Sequence, residues 1–302
     1  MYRLIKQIYY INRPSRTQRE FHHAITGNLE RSVDLSLEAH MRIVRFVFVI
    51  IVSVPFLAAS FAQQTPSSSA QALTILKQAL AALNPDTPTT DVTLSGSVQY
   101  IAGSDDESGT ATLQALAGAS KLSLSLPSGS RTYVENTSGN SPSGTWSGPD
   151  GVAHAIAYHN LLTDPVWFFP LLPIARGLSN SGYVITYVDQ ETLDGEAVQH
   201  ITIFQPGSLQ TSNGEPSLSH LSQMDYFLDS ITFLPVAVKF TVHPDTNDLL
   251  DIPVEVRFSD YRAVNGVQVP FHVQKFLNNV LALDFQFETA ALNTGLSASQ
   301  LQ

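Results

Sequence analysis

The strongest constraint in this chain is a strict two-residue alternation near its end. Residues 258–293 read FSDYRAVNGVQVPFHVQKFLNNVLALDFQFETAALN. Phe271, Val273 and Leu277, then Leu281, Leu283, Phe285 and Phe287, fall on one parity. His272 and Gln274, then Asp284, Gln286 and Glu288, fall on the other. A period of two sends successive side chains to opposite faces of a strand, so these segments belong to a sheet with one dry and one wet face. Asn278-Asn279 separates the last two runs. Asparagine tolerates positive φ, which a two-residue hairpin turn requires.

The same half-polar pattern recurs along the chain. It predicts strands over 92–101, 109–116, 121–126, 131–136, 183–189, 197–204, 220–228, 236–242 and 252–258, about eleven with the last two. Asp194-Gly195 marks a further hairpin. Residues 103–109, 136–150 and 206–216 are polar or Gly/Ser/Pro-rich and read as loops, with Trp146 pinning the second. A leucine stripe (Leu73, Leu76, Leu80, Leu83) predicts one helix over 71–83, stopped at Asn84-Pro85, and 151–162 is a candidate for a second short one. Between the two groups of strands lies Asp164 to Pro173, DPVWFFPLLP, the most apolar part of the mature chain. Its prolines argue against a regular helix interior, so it reads as a buried crossover or as a flap over an apolar cavity. Strands wet on one side favour an antiparallel sheet with one covered face. A single sheet of so many strands curls or closes. The expected class is therefore mainly β (α+β), a large curved antiparallel sheet or incomplete β-barrel with an N-terminal helix packed on it.

The N-terminal part differs in kind. Residues 46–62, FVFVIIVSVPFLAASFA, form an uncharged apolar run preceded by Met41, Arg42 and Arg45 and closed by Ser60-Phe61-Ala62. This order describes a secretory signal peptide at 41–62, cleaved after Ala62, with an uncleaved membrane anchor as the alternative. Residues 1–40 then read as an upstream over-read or tail, 63–70 as a linker and 71–302 as a single β domain. The expected location is periplasmic or secreted. Residues 63–302 carry eight basic against 22 acidic side chains, a formal net charge of −14, which disfavours nucleic acid and anionic membranes as partners. The chain has no cysteine, hence neither disulfides nor a thiol nucleophile.

No zinc-protease helix signature, phosphate-cradling glycine loop or serine elbow is present. No cofactor and no metal is expected. His154, His159 and Asp164 are the nearest approach to a metal or hydrolytic cluster, but His154 and His159 miss the i,i+4 spacing of one helical face. His200 and His272 fall on polar faces of strands and read as solvated. Asp105, Asp106 and Glu107 read as a solvated acidic turn, and Asp260 with Arg262 as a charge pair or turn cap.

The order of elements resembles the LolA/LolB-like fold of periplasmic lipid and lipoprotein carriers, which the sensor protein RseB also shares. Four features carry the resemblance. The helix at 71–83 runs into Val92-Thr93-Leu94-Ser95-Gly96-Ser97-Val98. A hairpin follows at Tyr183 to Val188 with Leu193-Asp194-Gly195. Asp229 leads to Thr232-Phe233-Leu234-Pro235, and the chain ends in Asp260-Tyr261-Arg262, Val264-Asn265-Gly266, Pro270 and a last hairpin. The resemblance implies a non-enzymatic carrier or sensor whose apolar concave interior holds a lipid or lipoprotein acyl chain. Trp167, Phe168, Phe169, Leu171 and Leu172 would form its lid or wall, with Phe271, Leu283 and Phe285 on the sheet; the alternative is that the aromatic cluster is simply core. The competing functions are an envelope protein-interaction module without a small ligand, using a transient protein partner, and a histidine-based hydrolase or metal enzyme.

Overall fold

The alternation is realised as one antiparallel sheet. The computed structural model of the chain describes residues 67–84, 88–137, 141–207 and 217–302. The segments 1–40 and 41–62, the start of the linker and most of the 206–216 loop lie outside the described residues. Two meanders build the sheet. The first runs β1 (Asp91–Ala102), β2 (Asp105–Leu116), β3 (Ala119–Leu126), β4 (Gly129–Asn136), β5 (Ser143–Ser147) and β6 (Ala153–Ala155). The second runs β7 (Val184–Leu193), β8 (Glu196–Phe204), β9 (Met224–Asp229), β10 (Pro235–Val242), β11 (Ile252–Val264), β12 (Val267–Leu277) and β13 (Val280–Leu292). β13 pairs with β1, giving 13 strands among the described residues in the order β6-β5-β4-β3-β2-β1-β13-β12-β11-β10-β9-β8-β7. The sheet is not closed; β6 and β7 are its edges.

Three hairpins carry positive φ at both central residues: Asp194-Gly195 (52° and 92°), Asn265-Gly266 (51° and 85°) and Asn278-Asn279 (50° and 63°). That backbone twist matches the twist of the flanking strands and fixes their register. Asp229 organises another turn. Its Oδ1 accepts from the amides of Ile231 (3.1 Å) and Thr232 (2.6 Å), allowing Phe233 to adopt φ 59° before β10 begins.

Helix α1 (Ala70–Leu83) is capped by the Ser69 hydroxyl, which accepts from the Ala72 amide at 3.1 Å. Its buried residues are Ala72, Ile75, Leu76, Ala79 and Leu83, so the packed face is rotated from the leucine stripe onto the smaller alanines. The alanines let the helix approach α2 (Leu171–Ser179), β7 and β12 closely. α2 is the helix that sequence reasoning left out. Pro170 is its N-cap and Pro173 lies in its first turn, where no amide partner is needed, so the prolines start the helix instead of breaking it. Other expectations are corrected locally. Residues 151–162 form β6 and a 3₁₀ turn (Tyr158–Leu161), Trp146 lies in β5, β2 begins at Asp105, and 218–222 is a short helix, α3 (Leu218–Ser222), ahead of β9. Asp260 and Arg262 form the expected charge pair, at 2.5 Å, within β11.

The sheet is curled strongly. Arg176 of α2 donates to the carbonyl of Ala117 in the β2–β3 turn, while a Cβ on neighbouring Gly177 would lie 3.2 Å from the Ile203 side chain on β8. Seven strand spacings separate β2 from β8, about 34 Å on a flat sheet. One short helix reaches both only because the sheet wraps round it.

Candidate functional site: the covered concave face

The chain crosses from β6 to β7 over the dry face of the sheet, through the 3₁₀ turn, residues 162–170 and α2. This crossover carries most of the expected site. Trp167, Phe168, Phe169, Leu171 and Leu172 are all buried. Phe271 and Phe285 are buried on the sheet opposite, and Leu283 is half-buried. The rings of Trp167 and Phe168 meet edge to face at 5.6 Å, Trp167 leans on Phe285 at 6.4 Å, and Phe285 stacks on Phe287 at 5.7 Å. The structure thus brings the crossover aromatics onto β13. Phe271 stands apart from that cluster and packs under the guanidinium of Arg262, 4.3 Å from its ring centre.

One residue of this face escaped the alternation. Lys275 occupies a dry-face position of β12 between Val273 and Leu277, and is only 4% exposed. Its ammonium lies 4.1 Å from the Trp167 ring centre and 5.8 Å from that of Phe240. Burial drives its pKa down to about 8, against the pull of Glu135 on β4. Burial likewise raises the Glu135 carboxyl to about 7, which Lys275 resists and Asp164 reinforces. Glu135 reaches this face because β4 turns Arg131, Tyr133 and Glu135 to the same side as Leu122 and Leu124 of β3.

A second charge pair, its carboxylate mostly buried and its guanidinium half-buried, holds the crossover. Asp164 Oδ2 lies 3.0 Å from Arg176 Nη1, and Asp164 Oδ1 accepts from the Val166 amide at 2.9 Å. Burial raises the Asp164 pKa in spite of Arg176. Beside this pair is a cavity of about 20 Å³, lined by Leu162, Asp164, Arg176, Tyr183, Met224 and Tyr226. That is room for about one water molecule. In this conformation the crossover therefore fills the space beside the sheet at this point.

Position 281 is a further correction. A bulge between Lys275 and Phe276 pairs Lys275 with Leu283 and Phe276 with Leu281. Directly opposed residues share a face, so Leu281 belongs with Phe276 on the outer side and not with Leu283.

The expected His154/His159/Asp164 group does not assemble. His154 is exposed and stacks on Trp146 at 4.4 Å, Asp164 is held by Arg176, and His159 packs against His243 with ring centres 5.8 Å apart. The outer face carries polar histidine ladders in place of solvated histidines. His200 Nδ1 lies 2.7 Å from Glu191 and its Nε2 lies 3.0 Å from Asp225. His272 Nδ1 lies 2.9 Å from Ser259 Oγ, and its Nε2 lies 2.9 Å from Asp284, which also accepts from Gln274 at 2.8 Å. The order hydroxyl, imidazole, carboxylate is that of a nucleophilic triad. Here it runs straight across three adjacent strands with the serine exposed, and we read it as a cross-strand polar ladder.

No protein-family model matches the sequence, and no curated protein matches it. Solved structures do. A DUF1329 family protein from Desulfovibrio piger aligns over 78% of this chain and 100% of its own, with 11% identity and a TM-score of 0.50. A domain from Vibrio parahaemolyticus, provisionally described as outer membrane lipoprotein-sorting, aligns over 77% and 96% with 11% identity and a TM-score of 0.49. A LolA superfamily protein from Nitrosomonas europaea aligns over 76% and 97% with 11% identity and a TM-score of 0.48. The DUF1329 protein shares this fold. At such identity the likeness is one of fold alone and transfers no ligand. Among the described residues no helix is long and apolar enough to cross a membrane.

Proposed function

We propose that this chain is an extracytoplasmic, non-enzymatic binding protein that carries or senses a lipid or other acyl-chain ligand against the dry face of its sheet. The carrying observation is the way that face is covered. A curled apolar wall is closed by α1 and by a crossover built of short turns and one nine-residue helix, not by a second sheet. The crossover is fixed to the rest of the chain at few polar points, among them Arg176 to the Ala117 carbonyl and Asn160 to the backbone of His243. A ligand would enter by displacing Trp167 and Phe168 from Phe285. Each buried CH₂ of an acyl chain contributes about 0.8 kcal/mol, so a chain of ordinary length offsets the loss of those aromatic contacts. Lys275 and Glu135 at the same wall offer charged partners for a headgroup. The apolar run at 46–62, behind Arg42 and Arg45, supports export.

Native mass spectrometry of protein exported from its own host tests this reading directly, with fatty acid titrated against Trp167 fluorescence in a Trp146→Phe background. Co-purified lipid and a saturable shift in emission support it. Empty protein that gives no shift with oleate overturns it. The close packing at Asp164 and Arg176, with its cavity of about 20 Å³, favours a second reading, a module that binds an envelope protein and no small ligand. Empty protein that captures a defined envelope partner selects that one.

A further inference from the structure

A histidine cluster that shares no residue with the Trp167–Lys275 contact is assembled from three separate pieces of chain. His159 comes from the 3₁₀ turn of the crossover and His220 from α3. His243 directly follows β10 and Asp251 directly precedes β11, so the two flank one loop. His220 Nε2 lies 2.8 Å from Asp251 Oδ1, and His243 Nε2 lies 3.0 Å from the same oxygen. One ligand atom each from His220, His243 and Asp251 falls within 4.8 Å of the others. His159 and His220 both meet the His243 ring, with centres 5.8 Å away in each case.

Two observations set this cluster apart from an ordinary polar surface. His243 is completely buried, and its Nδ1 has no hydrogen-bond partner; His159 Nε2 is likewise buried without one. Orphaned buried imidazole nitrogens are costly and call for an explanation, which for His159 Nε2 an ion would supply; His243 offers its other nitrogen, Nε2, to the same ion. The cluster is also held in place. Asn160 Nδ2 donates to the His243 carbonyl and Asn160 Oδ1 accepts from the His243 amide, both at 2.8 Å, which ties the crossover to the β10–β11 loop.

We infer that His220, His243 and Asp251, with His159 as the candidate fourth ligand, form a binding site for a divalent first-row transition ion. Three imidazoles and one carboxylate without thiolate suit zinc well and suit magnesium or calcium poorly. The ion would clamp the crossover to α3 and to the β10–β11 loop. The inference does not rest on the lipid-carrier reading, and the site shares no residue with the Trp167–Lys275 contact.

The test uses the mature chain carrying no polyhistidine tag, stripped with chelator and titrated calorimetrically with zinc chloride and, separately, magnesium chloride. One zinc per chain and no binding of magnesium are expected. His220 and Asp251 are both exposed, so His220→Ala and Asp251→Asn are expected to keep the far-ultraviolet dichroism of the parent. Each should weaken zinc binding about 10-fold or more. His159→Ala asks whether the fourth ligand is correct, and a cobalt derivative reports the coordination number by its visible absorption. Substoichiometric zinc in the parent overturns the inference, and so does parental zinc affinity in a folded His220→Ala or Asp251→Asn variant.

Discussion

Lys275 holds its ammonium 4.1 Å from the centre of the Trp167 ring, inside the dry face of the sheet and under the crossover that covers it. A buried cation there costs stability, and the cost depends on pH. Its pKa falls to about 8, so between about 8 and its ordinary value of 10.5 the unfolded chain binds the extra proton and stability rises with pH. Glu135 is raised from 4.5 to about 7, so between those values the folded chain binds the extra proton and stability falls as pH rises. The pair therefore contributes a stability minimum between the two shifted values. Lys275→Met removes the cation but leaves the acid. It is expected to stabilise the protein at pH 5.5, by roughly 1–4 kcal/mol, where Glu135 is protonated, and to gain less at pH 8.5, where Glu135 must ionise unpaired. Urea unfolding at the two pH values measures both. A loss of stability at pH 5.5 would show that the ammonium is a net structural asset.

Gly96 sits at the bulge where β1 meets β13. A Cβ at this position would lie 2.1 Å from the Gln286 carbonyl oxygen and 2.6 Å from the Phe287 Cα, both backbone atoms. Gly96→Ala should push apart the one strand pair that joins the two meanders and destabilise the protein by about 2–3 kcal/mol. Gly148 provides the control, since a Cβ there meets nothing closer than 3.6 Å. Gly148→Ala is expected to stay within about 0.5 kcal/mol of the parent. Equal midpoints for the two variants in chemical denaturation would contradict the register.

The contrast between these sites shows what was legible from residues alone. Alternation along 271–287 and the Asn-Asn turn were enough to place the last hairpin, because a dry and a wet face impose a period that a single strand displays. The same alternation concealed Lys275. It stands at a dry position, and long basic side chains often lie along apolar surface with their charge in water, so nothing local marks it as buried. Leu281 was misassigned because a bulge has no compositional mark there. The proline-rich crossover read as irregular although two of its prolines sit where a helix start accepts them. The histidine cluster was out of reach for a different reason. Residues 220, 243 and 251 meet at one end of the paired strands β9, β10 and β11, and residue 159 joins them from the crossover, so no spacing in the sequence marks the group.

His200 on the outer face makes a prediction about pH. Burial alone would lower its pKa, but hydrogen bonds to Asp225 and Glu191 outweigh this and raise it. A histidine raised on folding stabilises fully below its unfolded value of about 6.5, and that contribution is lost as pH climbs through the folded value. His200→Gln keeps a polar group stacked near Phe227 but cannot titrate. The parent should lose stability relative to this variant between about pH 6.5 and the folded pKa, and run parallel to it at higher pH. Parallel curves across the whole range, in thermal melts at closely spaced pH values, would remove His200 from the account.

Arg176 is expected to decide how firmly the crossover is shut. It pairs with Asp164 at 3.0 Å and donates to the Ala117 carbonyl, so it ties α2 to its own approach segment and to the β2–β3 turn. Arg176→Gln leaves the buried Asp164 carboxylate without its cation, at a cost of roughly 3 kcal/mol near neutral pH. Burial already raises the Asp164 pKa, so an acid medium neutralises the group readily and part of that loss should be recovered at pH 5. Asp164→Asn/Arg176→Gln, which removes both charges, should lie closer to the parent than either single variant. A double-mutant cycle by urea unfolding measures that coupling. The same variants carry the functional consequence. With Trp146→Phe as background, acrylamide should quench Trp167 more strongly in Arg176→Gln than in the parent, because the crossover opens more often. Faster uptake of a fatty acid should accompany the stronger quenching. Increased quenching without faster uptake would separate the opening of the crossover from ligand entry and count against the carrier reading.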